Sequence, residues 1–64
     1  MSYKNHVNNY TVKIGSDTYG QFKDCNEARN LFNFYAAYPN ELHDVLVLMD
    51  SHTGELLEIC QPEK

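Results

Sequence analysis

A chain of 64 residues holds one domain, and a domain this small buries only about 60% of the surface that its unfolded chain exposes, so a bridge, a metal or a second copy is expected to help hold it. Nine acidic against five basic residues give a net charge of −4, which argues against a protein that grips a phosphate backbone through clustered Lys and Arg. The longest apolar run, Val45 to Met49, falls far short of the ~20 residues that cross a bilayer. Met1 to His6 is polar with no leader-like apolar stretch behind it, so a cytoplasmic setting is expected, with Cys25 and Cys60 as reduced thiols.

Residues 1–8 are polar, lack periodicity and read as a loose arm. Tyr10 to Ile14 alternates, with Tyr10, Val12 and Ile14 on one side, the pattern of a half-buried strand. Gly15-Ser16-Asp17-Thr18 is rich in turn formers, and Thr18 to Phe22 returns as a second strand in which Gly20 marks a weak point or a bulge. Asp24 then caps a predicted helix from Cys25 to Ala37, with Glu27 placed for a capping box. Ala28, Leu31, Phe32 and Tyr35 form its packing stripe, while Phe34 and Tyr38 lie off it. Pro39 ends the helix. Val45 to Met49 is apolar on both parities, which predicts a central strand covered on both faces. Ser51-His52-Thr53-Gly54 is a hairpin loop, Glu55 to Cys60 the returning strand, and 61–64 a polar tail. In that last strand Leu57 and Ile59 share one face, and Leu56, Glu58 and Cys60 the other.

The whole chain thus predicts one α+β domain, β-β-α-β-β, with one helix packed on one face of an antiparallel sheet. A single helix leaves the far face open, yet the third and fourth strands have apolar residues to spare. Large open apolar patches mark interfaces, and a symmetric dimer is the commonest way to cover one. Leu46, Leu48 and Leu56 are the residues expected there. Five tyrosines and three phenylalanines are many for this length. Phe22, Phe32 and Tyr35 are assigned to the core. Tyr19, Phe34 and Tyr38, with Glu41 and Asp44 at their border, are the expected contact surface for a protein partner.

Chemistry finds little footing. His43 and Asp44 precede the third strand and Asp50 and His52 come after it, roughly 20 Å apart at strand rise, too far to share an ion. Cys25 and Cys60 lack the paired spacing of a zinc site. Cys25 at the helix start is a position that can activate a thiol, but Asp24 and Glu27 beside it are anionic, and no histidine is fixed next to it. No metal, no cofactor and no enzymatic activity are expected. Two other readings stay open. Tyr10 or Tyr19 on a sheet face could stack nucleic-acid bases, although Lys4, Lys13, Lys23, Arg29 and Lys64 are scattered. Glu41, Asp44, Glu55 and Glu58 could instead imitate nucleic acid and block a basic groove. In size, acidity and want of motifs the chain resembles, in general character only, the small accessory proteins encoded by phages and other mobile elements. The expected function is a non-catalytic, homodimeric accessory or inhibitor protein that binds another protein.

Overall fold

The computed structural model describes residues 8–63. The arm expected over 1–8 lies outside the described residues except for Asn8, as do Tyr3, Lys4 and Lys64. Strands β1 (Tyr10–Ile14) and β2 (Asp17–Phe22) lead into helix α1 (Cys25–Ala36); a 3-10 turn (Pro39–Glu41) precedes β3 (Leu46–Asp50) and β4 (Leu56–Cys60). The sheet order is β2-β1-β3-β4 with every neighbour antiparallel. The α+β, β-β-α-β-β fold expected from the sequence is the fold observed, and β3 is central.

Register decides which residues make the core. Tyr10, Val12 and Ile14 pair with Asp50, Leu48 and Leu46. Opposed residues in an antiparallel pair point to the same face. Val12, Ile14, Leu46 and Leu48 are buried there, against Ala28 and Phe32 of the helix stripe. This corrects two expectations. Leu46 and Leu48 are fully buried in the core of one chain and are not available to a dimer interface. The strand is likewise covered on one face only: Val47 and Met49, on the outer face, remain partly exposed.

Two bulges reshape the edge strands. In β2 the register jumps from Val12↔Gly20 to Lys13↔Thr18, leaving Tyr19 as the extra residue. Such a bulge places two residues opposite one, so Tyr19 turns to the helix side together with Gly20. Gly20 itself lies where the helix comes close: a Cβ there would stand 2.8 Å from Phe22 and 2.9 Å from Leu31. In β4 the register jumps from Leu48↔Glu58 to Met49↔Leu56. Leu56 is thereby set opposite outer-face Met49 and joins Leu57 and Ile59, not Glu58 and Cys60 as simple alternation predicts. Glu58 stays on the helix side, where it forms an ion pair with Arg29.

Local chemistry sets the element ends. The Asp24 carboxylate accepts a hydrogen bond from the Asn26 amide at 2.9 Å, satisfying one of the free donors of the first turn. The helix ends one residue short of the expected Ala37, which serves as its cap, ahead of Pro39. The first hairpin turn is only Gly15-Ser16, with Gly15 at φ +62°. In the β3–β4 loop the Asp50 carboxylate accepts from the amides of His52 (2.8 Å) and Thr53 (3.1 Å). Those two bonds favour the charged form and hold its pKa below the ordinary value. The tail is tied as well, through the Glu63 amide, which donates to the Pro39 carbonyl at 2.9 Å. Among the described residues no helix is long and apolar enough to cross a membrane.

Candidate functional site

The last turn of α1, the 3-10 turn and the bulge of β2 meet at one end of the domain. They enclose an open cavity of about 400 Å³ lined by Ile14, Tyr19, Phe34, Tyr35, Tyr38, Glu41, Leu42 and His43. Ile14 is a core residue, so the cavity reaches down to the top of the core. Tyr35 is the half-buried wall. Tyr19 meets it edge to face at a centroid distance of 5.5 Å, and Phe34 does the same at 5.4 Å. Phe34 in turn meets Tyr38 at 6.2 Å with the rings 69° apart. Each contact puts one ring's positive edge on another's negative face, an arrangement that fixes ring orientation. Tyr19 Oη lies 3.3 Å from His43 Nε2 and links the bulge to the segment before β3.

Four of the five residues expected at a partner surface, Tyr19, Phe34, Tyr38 and Glu41, therefore line one cavity. The fifth, Asp44, stands beside it: its Oδ1 accepts from the Val45 amide at 2.7 Å, and its side chain packs against Gly15. Phe34 and Tyr38 are 61% and 55% exposed, an unusual state for large aromatic side chains in a domain short of core. Tyr35 belongs to both core edge and cavity. Leu42 and His43 escape a reading of the sequence because the direction of the chain after Pro39 is set by the 3-10 turn, which composition does not reveal.

The outer sheet face is the second feature. Leu56 (53%), Ile59 (50%) and Leu57 (39%) are exposed beside Val47 and Met49. By register, every strand carboxylate (Asp17, Asp50 and Glu58) lies on the helix side. Among the described residues, the only charged strand residue on the outer face is Lys13. The described basic residues do not converge, since Lys13 is on that face and Arg29 is on the helix with Glu58. Cys25 and Cys60 are free thiols, with Arg29 donating weakly to Cys25 Sγ at 3.8 Å. Among the described residues no three His, Cys, Asp or Glu side chains gather as a metal set. Comparison with protein-family models, with curated proteins and with solved structures gives no match.

Proposed function

We propose that this protein is a non-catalytic protein-binding module, an accessory or inhibitor protein of the cytoplasm, that engages its partner at the aromatic cavity and works as a homodimer through the outer face of its sheet. The observation that carries the reading is the gathering of Tyr19, Phe34, Tyr35 and Tyr38 around one open cavity. Exposed, orientation-fixed aromatics over an apolar floor are the anchors that protein interfaces use, because they bring large contact area with little rotamer freedom to lose. The cavity volume falls within the ~300–1,000 Å³ range of ligand pockets, enough for one or two side chains of a bound segment.

The outer face supports self-association on charge grounds. A chain of net charge −4 repels its own copies wherever carboxylates meet. Here the strand carboxylates are turned away, and the exposed leucines and Ile59 form a patch that two copies can share without opposing like acids. The free thiols of Cys25 and Cys60 suit a reducing compartment.

Selection of a displayed random-peptide library on immobilised protein tests the cavity, with the double variant Phe34→Ala, Tyr38→Ala as the counter-target. Both side chains are more than half exposed, so the variant keeps the core. Sequences that bind the native chain and not the variant support the reading. Sequences that bind both alike, or no enrichment, overturn it.

A further inference from the structure

Building on the protein-binding reading above, we infer that the same cavity takes the arginine side chain of a basic segment in the partner. Three independent features converge on a cation. The lining includes Tyr19, Phe34, Tyr35 and Tyr38, whose rings meet edge to face, so that no pair of them is stacked with two faces hidden against each other. A planar guanidinium stacks on such faces and is drawn by their negative quadrupole. Glu41 supplies a carboxylate in the lining, matched to the guanidinium fork. Asp44 comes directly after His43 of the lining, and Asp17 stands opposite Ile14, so two further carboxylates flank this end.

The third feature is the helix. Phe34 and Tyr35 of the lining sit in the last turn of α1, where the backbone dipole is negative, and no basic residue occupies that turn. None of the described Lys or Arg side chains lines the cavity either. Lys13 is on the outer face, Arg29 pairs with Glu58, and Lys23 lies just past the far end of β2. The negative end of the helix, the acids and the rings are thus left without a Lys or Arg from the described part of the chain, and the one basic group in the lining is the His43 imidazole, which is engaged with Tyr19 Oη.

The test is a titration of ¹⁵N-labelled full-length protein at low salt with three blocked Gly/Ala peptides, carrying one central arginine, lysine or citrulline. Citrulline keeps the shape and loses the charge. The arginine peptide is expected to move the amide resonances of residues 34–43 and to bind about tenfold more tightly than the citrulline peptide. Glu41→Gln and Tyr38→Leu, both at exposed positions, are each expected to weaken arginine binding about two- to fivefold. Equal binding of arginine and citrulline overturns the cation and leaves a protein-binding cavity. Lysine binding more tightly than arginine overturns the guanidinium. Shifts that leave Ile14, Tyr19 and residues 34–43 unmoved, or indifference to both substitutions, overturn the site. No response to any peptide overturns the inference as a whole, and the protein-binding reading then stands or falls on the display selection alone.

Discussion

Ile59→Asp separates the two faces of the sheet. Ile59 is 50% exposed and lies opposite Val47 on the outer face. Complete burial of an isoleucine side chain is worth about 1.5–3 kcal/mol, so about 1 kcal/mol remains to be gained when a second copy covers the exposed half. A twofold axis counts this twice, about 2 kcal/mol, which alone is about 30-fold in the dimer dissociation constant. Two aspartates stripped of water across the same axis add several kcal/mol each. Dimerisation is therefore expected to vanish at any micromolar concentration. The monomer loses about 1 kcal/mol of packing and up to about 1 kcal/mol of strand preference. Against a total of about 3–10 kcal/mol for a chain of this length, it stays folded. Leu48→Asp is the contrast. It puts a charge in a fully buried core site and is expected to unfold the chain outright. Sedimentation equilibrium with circular dichroism on both variants reads the two effects apart. A folded Ile59→Asp protein that dimerises like the native chain would refute the outer-face interface, as would a native chain that is monomeric at every concentration.

Asp24→Ala removes the acceptor for the Asn26 amide and is expected to cost about 1 kcal/mol, a fall of about 4–8 °C in Tm by calorimetry. The Asp50 carboxyl has a lowered pKa in the folded chain, so its contribution is present above the ordinary carboxylate value of about 4 and is lost as pH falls through the lower folded value. Asp50→Asn should thus flatten the decline of Tm below about pH 4 and leave the slope above pH 5 unchanged. Gly15 and Gly54 both have positive φ, at +62° and +77°, but only Gly15 is crowded, with Asp44 Oδ2 2.6 Å from the place of a Cβ. Gly54→Ala is expected to cost about 1 kcal/mol from backbone strain alone, and Gly15→Ala more, as measured by urea unfolding.

Elements whose pattern is local were legible in the sequence. Period-two alternation in Tyr10–Ile14, the 3.6-residue stripe of Ala28, Leu31, Phe32 and Tyr35, and the Asp24 cap each appear in the structure where they were expected. What could not be read depends on partners distant in sequence. Leu46 and Leu48 are indistinguishable from Val47 and Met49 by composition, and only pairing with Ile14 and Val12 assigns them inward. The bulge beside Leu57 is a mismatch between two strands and leaves no mark in either one. The bulge at Tyr19 has a partial signal in Gly20, since a side chain at that place would strike Leu31. Phe34 and Tyr38 stand out for lying off the stripe, so four of the eight lining residues were legible as a contact surface, but the cavity itself was not, because Ile14, Tyr35, Leu42 and His43 complete it and a chain this short gives little reason to expect one.

Both proposed surfaces follow from the same shortage. One twelve-residue helix packs on β1, β2 and β3 of a four-stranded sheet, and only six apolar side chains are buried among the described residues. The remaining apolar surface has to go somewhere, and the two bulges sort it. The bulge in β4 sends Leu56 outward, away from the Arg29–Glu58 pair, and so enlarges a nearly charge-free face. The bulge in β2 sends Tyr19 inward, onto Tyr35, and so builds the cavity wall. Without the Tyr19 bulge, alternation back from Gly20 would place that ring on the outer face with Gln21, and the cavity would lose one side. The charge obeys the same division. Carboxylates on the helix side and at the cavity end leave the outer face compatible with a second acidic copy and the cavity compatible with a basic partner. A chain too short for a complete core can thus keep its two surfaces distinct by what each one repels.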